Sequence, residues 1–119
     1  MNKKVVNFIK NQYNVNAEYL WADTPNFAIF RNSRNNKWFC VLMKDLPKSK
    51  FGLNSDDRVD VINLKCDPLL KYSLINNIGI FPAYHMNKEH WISVFLDGSV
   101  SIKEIKNLIN MSYFLVDKK

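Results

Sequence analysis

The segment covering residues 82–91 carries the densest set of side chains that could do chemistry. It places His85 and His90 five positions apart around an Asn-Lys pair that is typical of a turn. Cys66 or Glu89 could join the two histidines around a metal ion. The spacing matches neither an HExxH motif nor a zinc finger. A structural role in a hairpin is therefore favoured, with a ligand or phosphate contact and a metal site as the alternatives.

Two basic stretches could contact phosphate groups. Residues 31–50 carry six basic side chains against Asp45 alone, a local charge of +5. A polar turn over residues 32–36 predicts a basic hairpin tip, and a basic loop over residues 46–53 predicts a second projection. The expected phosphate contacts lie in these stretches and in the 82–91 segment: Arg31, Arg34, Lys37, Lys48, Lys50 and Lys88. The 32–36 turn holds no aromatic residue and the 46–53 loop holds only Phe51, so contact with a duplex backbone is favoured over stacking on single strands.

The lysines of the 46–53 loop also have a purely structural interpretation. They could be solvated, or they could pair with Asp56, Asp57 and Asp60, which follow the loop. Lysine outnumbers arginine 14 to 3, which indicates a bias toward A·T-rich codons. Part of the formal charge of +6 could therefore reflect composition rather than a binding surface.

The sequence lacks the motifs of the common enzyme classes. Three glycines are too few for a phosphate-binding loop or a dinucleotide fingerprint, and no G-x-S-x-G motif occurs. Cys66 as a nucleophile would need His85 or His90 as its base, and nothing in the spacing requires that pairing. We expect no catalytic residue, no cofactor and no metal, and hence a protein that is not an enzyme.

Apolar periodicity predicts three helices and six extended segments that position these residues. The helices are expected over residues 2–13, from Asp67-Pro68 to near Gly79, and from the Ser101–Glu104 capping box onward. The extended segments are expected over residues 18–21, 27–31, 38–44, 58–66, 80–85 and 90–96. The order α-β-β-β-β-α-β-β-α predicts an α+β fold in two layers, an antiparallel sheet packed by helices.

Alternation along residues 38–44 predicts which side chains share a face of the sheet. Trp38, Cys40 and Leu42 are expected on one face, with Phe39, Val41 and Met43 on the other. Trp21, Trp38 and Trp91 are interpreted as core residues rather than a ligand cage, with room for one of Trp38 and Trp91 to be half exposed because each starts a strand. Asp23 is interpreted as the cap of the following turn, with a role as a site residue as the alternative.

Length and composition bound the class of protein. The chain has 119 residues, which predicts a single domain over residues 1–119. No apolar run reaches the ~18 residues that a membrane span needs, and we expect a cytoplasmic protein without a membrane partner. Cys40 and Cys66 are expected to be free, buried thiols. A monomer is the default expectation.

Several motifs together resemble the MmcQ/YjbR family of small bacterial proteins. They are Trp21-Ala-Asp, Lys37-Trp-Phe, Leu46-Pro-Lys-Ser-Lys-Phe-Gly-Leu, Asp60-Val-Ile-Asn-Leu-Lys-Cys-Asp-Pro, Pro82-Ala-Tyr-His-Met-Asn-Lys-Glu-His-Trp-Ile, Leu96-Asp-Gly-Ser and Ser112-Tyr-Phe-Leu-Val. The resemblance implies a fold similar to secretion-chaperone-like and frataxin-like (CyaY-like) domains. It also implies DNA binding by a double-wing motif, and it implies no catalytic residue.

The sequence thus predicts a DNA-binding protein that contacts the phosphate backbone of double-stranded DNA through basic loops or wings. The alternative is a module without enzymatic activity that binds a protein or a small ligand. That alternative would use a groove around the 82–91 hairpin, with Tyr84, His85, His90 and Trp91 as its contacts.

Overall fold

A computed structural model describes residues 1–117. Its elements follow the order α1 (Asn2–Tyr13), β1 (Phe27–Arg31), β2 (Trp38–Pro47), β3 (Arg58–Lys65), α2 (Pro68–Leu74), β4 (Ile80–Pro82), β5 (Trp91–Phe95) and α3 (Ile102–Asp117), with a 3-10 helical turn over Lys48–Phe51. The strands pair antiparallel in the spatial order β1-β2-β3-β5-β4. The predicted α+β class is confirmed. No helix within residues 1–117 is both long and apolar enough to cross a membrane.

Several element ends differ from the predicted ones. The expected extended segment at residues 18–21 contributes one isolated bridge, Glu18 to Ile29, at the edge of the sheet. Strand β2 continues to Pro47, so the 46–53 loop begins inside the sheet and then turns as a 3-10 helix. Helix α2 ends at Leu74, earlier than the expected end near Gly79. Asn76 accounts for the early end, because its side chain accepts from three following backbone amides and replaces further helical bonds.

One face of the sheet is covered by α1 and α3. The apolar stripe of α3 is buried as its periodicity predicts, with Ile105 and Ile109 fully inaccessible. Tyr13 of α1 stacks on Tyr113 of α3, with ring centroids 3.9 Å apart. Val5 and Ile9 of α1 complete this layer against the strands. This face holds the larger of the two hydrophobic clusters.

The opposite face of the sheet is covered by irregular segments instead of helices. Phe51, from the 3-10 turn, packs against Phe81 and Phe95 with ring centroids 5.5 and 5.0 Å away. Trp21 approaches from the segment before β1, and Met86 from the β4–β5 connection. Loops do not close over a sheet as continuously as helices do, so clefts remain between them. Two of the candidate functional residues, Tyr84 and His85, lie on this side.

Strand β2 contains a bulge that overturns the predicted facial pattern. Phe30 pairs with Cys40 and the next residue, Arg31, pairs with Trp38, so Phe39 is an extra residue in β2. Phe39 consequently packs with Cys40 on the helix-covered face. Trp38 packs with Val41 on the loop-covered face, opposite to the side predicted from simple alternation. Alternation fails here because a bulge shifts the side-chain period by one residue.

Ser112 of α3 bonds to the backbone groups that the bulge leaves unpaired. Its hydroxyl donates to the carbonyl oxygen of Phe39 at 2.5 Å and accepts from the amide of Lys65 at 2.8 Å. The side chain is fully buried. One hydroxyl therefore satisfies a carbonyl of β2 and an amide of β3, and it fixes α3 against the end of the sheet.

The Ser112→Ala variant should be destabilised, because it leaves a buried carbonyl and a buried amide without partners. We expect the free energy of unfolding to fall by about 1–3 kcal/mol, measured by urea denaturation. The control is Ser73→Ala, an exposed serine that bonds only to its own helix. Equal stability of the two variants would show that the Ser112 bridge contributes nothing.

Candidate functional site

A buried polar pair holds the start of the 82–91 segment in place. Asn63 of β3 donates to the carbonyl oxygen of Tyr84 at 2.8 Å, and the amide of Tyr84 donates to Ser93 Oγ at 2.9 Å. Ser93 Oγ in turn donates to Asn63 Oδ1 at 2.5 Å. Both side chains are fully buried. The backbone of Tyr84 is thus tied to two central strands, and this fixes where the following side chains emerge.

His85 leaves that anchor in an unusual backbone conformation. Its φ is 63°, in the left-handed region that residues with a side chain rarely adopt. The imidazole lies 3.9 Å from the ring of Tyr84, centroid to centroid, and it is exposed to solvent. Residue 85 therefore turns the chain so that its own ring and Met86 face the segment that carries Trp21.

A mainly apolar cleft lies between these segments, and we name it the tryptophan cleft. Its walls are Trp21 and Trp38, whose rings meet edge to face at 87° with centroids 5.8 Å apart. Asp23 and His85 also line the cleft, and Met43 and Met86 add apolar surface to it. Its volume is about 340 Å³. The sequence interpretation of Trp21 and Trp38 as core residues is only partly met, since both are half-buried cleft walls.

The two histidines lie on different clefts. His85 lines the tryptophan cleft, whereas His90 lines a cleft at the far end of the sheet with Lys37, Lys65 and Cys66. Within residues 1–117, no three His, Cys, Asp or Glu side chains are grouped to hold a metal ion. The hairpin segment thus does not bring its two imidazoles to one site.

The thiol of Cys66 is poorly suited to act as a nucleophile. Burial, together with the neighbouring Asp67 carboxylate, raises its pKa above the ordinary value. Its sulfur donates to the carbonyl oxygen of Asp67. Cys40, fully buried, also has a raised pKa for the same reason of burial. Both cysteines are free thiols, as expected.

The Asp67 carboxylate caps helix α2 as the sequence predicts. Its Oδ1 accepts from the amide of Leu69 at 2.9 Å, with Pro68 at the first helical position. A carboxylate therefore occupies the place where an anion would bind at this helix end.

Three of the expected phosphate contacts are engaged in ion pairs. Arg31 contacts Glu18 at 3.1 Å, which also ties down the segment at residues 18–21. Arg34 contacts Asp117 at 3.0 Å, and Lys48 contacts Asp97 at 3.4 Å. The partner of Lys48 is thus Asp97, not one of the three aspartates that directly follow the loop. Arg34 keeps 72% of its side chain exposed, so it can still exchange its partner for a phosphate.

Lys50 and Lys88 are brought together although 38 positions separate them. Both line a cleft of about 210 Å³ over Phe81 and Tyr84. Lys88 also lines the adjoining cleft with Lys71 of α2, and Lys71 Nζ donates to the carbonyl oxygen of Lys88 at 3.1 Å. We call Lys50, Lys88 and Lys71 the lysine strip. It runs along the edge of the sheet formed by β4.

Sequence reasoning missed Lys71. The residue lies in a short helix in which no side chain is buried, and its neighbour Tyr72 is 83% exposed. Lys71 Nζ lies 5.2 Å from the centroid of the Tyr72 ring. Spacing along the chain could not place Lys71 beside Lys88, because the two meet only where α2 packs next to the β4–β5 connection.

A family profile for YjbR matches residues 11–115. The chain belongs to the YjbR family. This confirms the resemblance that the motifs indicated. The matched region includes every candidate residue described above. It also includes the bulge in β2 and Ser112, which closes that bulge.

Related chains are found in several bacteria. The uncharacterized protein YyaQ of Bacillus subtilis is 41% identical over 107 residues, which cover 90% of each chain. The uncharacterized protein YbdF of Escherichia coli O157:H7 is 47% identical over 104 residues, 84% of this chain and 72% of that one. A crystal structure from Pseudomonas syringae superposes with a TM-score of 0.91 at 45% identity over 97% of both chains.

The fold extends to more distant proteins. Deinococcus radiodurans protein DR2400 has a TM-score of 0.75 at 22% identity, covering the whole of this chain and 80% of that one. At this identity the likeness concerns the fold alone.

The Asp97 carboxylate should contribute to the pH dependence of stability. Burial alone would raise its pKa, but hydrogen bonds from Ser99 and the ammonium of Lys48 outweigh burial and hold the pKa below its ordinary value. Its contribution is therefore fully present above the unfolded pKa of about 3.9. The contribution is lost as the pH falls through the folded pKa.

Asp97→Asn should therefore lose less stability than the wild type between pH 7 and roughly pH 3, measured by urea denaturation at each pH. Lys48→Ala should change the pH dependence in the same direction but less, because the two bonds from Ser99 remain. Indistinguishable pH profiles for Asp97→Asn and the wild type would contradict the depressed pKa.

Proposed function

We propose that this YjbR-family protein binds double-stranded DNA, mainly through the phosphate backbone, with the lysine strip as its principal contact. The observation that carries the proposal is the convergence of Lys50 and Lys88, from separate segments, on one cleft that continues to Lys71. Lysine ammonium groups act as point charges toward phosphate oxygens and need no fixed approach angle. A row of them suits a partner whose charges are also in a row.

The exposure of two lysines of the strip supports assigning the main contact to it. Lys50 and Lys88 are exposed, whereas Lys48 is three-quarters buried and paired with Asp97. An ammonium group already paired with a carboxylate releases fewer counterions on meeting a phosphate, so it adds less to affinity. Arg34 and Lys37, on the exposed β1–β2 tip, are secondary contacts in this proposal, and Arg31 is restrained by Glu18.

Binding without catalysis is part of the same proposal. The raised pKa of Cys66 disfavours its thiolate, and the two histidines line different clefts. Neither observation bears on DNA contact, but both support a binding role over nucleophilic chemistry.

The double variant Lys50→Ala/Lys88→Ala should bind duplex DNA more weakly than the wild type. Each lost phosphate contact should flatten the plot of log affinity against log salt by about one unit, so the pair should flatten it by about two. The measurement is fluorescence anisotropy with a labelled random-sequence duplex, titrated at several salt concentrations from roughly 50 to 200 mM.

The matched control is Lys3→Ala/Lys103→Ala, which removes the same charge. These two lysines are exposed on α1 and α3, the helices that cover the opposite face of the sheet. Equal weakening by both double variants would show that only the net charge matters. Absence of wild-type binding at the lowest salt concentration would refute DNA binding altogether.

A further inference from the structure

The tryptophan cleft is unlike the rest of this protein in its charge. The chain carries a formal charge of +6, yet the residues of the described chain that line this cleft include no lysine and no arginine. Its one acidic residue is Asp23, an exposed carboxylate. Apart from Asp23 and His85, the lining is dominated by aromatic and thioether side chains. A basic protein thus presents one concave surface from which lysine and arginine are excluded.

The two indole rings give the cleft aromatic walls that an occupant can contact. Trp21 and Trp38 meet at 87°, so they form two walls of a corner rather than a flat stack. The face of an aromatic ring carries partial negative charge and attracts a cation, most strongly for tryptophan. Methionine sulfur adds polarizable surface to the lining. An anion would meet the ring faces and Asp23 with the wrong sign of charge.

We propose that the tryptophan cleft binds a small organic cation with a methylated ammonium head group. Such a head group is weakly hydrated, so it loses little on entering an apolar corner, and its charge is spread over methyl groups that can contact both indoles. Asp23 supplies the counter-charge at the mouth of the cleft. A volume of about 340 Å³ accommodates the head group together with a short substituent.

The fold keeps one side of this cleft in a fixed position. The backbone of Tyr84 is bonded to Asn63 and Ser93, and the left-handed turn at His85 places His85 and Met86 opposite Trp21. The bulge in β2 places Trp38 on the same face. This wall is therefore built by the core of the sheet, and a ligand does not have to order it.

The test uses choline and its neutral isostere 3,3-dimethylbutan-1-ol on the intact chain. Choline should shift the indole N–H signals of Trp21 and Trp38 in NMR spectra and leave that of Trp91, which lies on β5, unchanged. We expect choline to bind about ten-fold more tightly than the neutral alcohol, because only the charged ligand gains from the ring faces and Asp23.

Variants separate the contributions of charge and shape. Trp21→Leu should reduce the preference for choline over the alcohol, with Trp38 and Asp23 supplying what remains, whereas Trp21→Phe should keep more of it because an aromatic face is retained. Asp23→Asn should weaken choline binding several-fold and leave binding of the alcohol unchanged. Its matched control is Asp56→Asn, an exposed carboxylate outside the cleft, which should bind choline as the wild type does.

Three outcomes would overturn the proposal. The first is equal affinity for the charged and neutral ligands, and the second is choline-induced shifts confined to residues outside the cleft. The third is the absence of any shift up to about 50 mM choline, because a ligand of this size that fits its site can have a dissociation constant well below that concentration. The Lys50→Ala/Lys88→Ala variant should bind choline normally, so the outcome does not depend on DNA binding.

Discussion

The extra residue at Phe39 in β2 controls which side chains each face of the sheet presents. A strand repeats every two residues, so one inserted residue moves everything before it to the opposite face. The insertion is stable because the hydroxyl of Ser112 bonds to the Phe39 carbonyl and to the Lys65 amide. The position of Trp38 in the tryptophan cleft therefore depends on a buried hydroxyl of α3 on the far side of the sheet.

The two faces of the sheet have different coverings, and the difference explains where binding surfaces arise. Helices α1 and α3 bury one face around Ile9, Ile105 and Ile109. Three irregular segments cover the other face, and their aromatic side chains touch without closing it. Clefts form where such segments meet, which is the usual place for binding residues on a rigid scaffold.

Several basic side chains of this protein contact carboxylates, so composition alone does not show where its positive charge can meet a partner. Arg31, Arg34 and Lys48 each contact a carboxylate, and two of these contacts hold distant parts of the chain together. The lysine strip and the tryptophan cleft are separate surfaces, one basic and one free of lysine and arginine among the described residues. Their opposite character suits partners of opposite charge.

The sequence by itself determined the three helix starts, the central strands, the α+β class and the local caps, but not the fate of residues 18–21, which contribute a single bridge. Apolar periodicity located α1, α3 and the central strands, and Asp67 and Ser101 marked helix starts that the structure confirms. These are short-range properties, set by side-chain spacing and by hydrogen bonds within a few residues.

Only the tertiary structure decided the face of Trp38, the separation of His85 from His90, and the meeting of Lys50, Lys88 and Lys71. A bulge leaves no mark in the alternation of a single strand, because it is a property of the pairing between two strands, and here the extra residue also bonds to Ser112 of another element. Which charges meet depends on how loops and α2 pack, and spacing along the chain does not encode those distances.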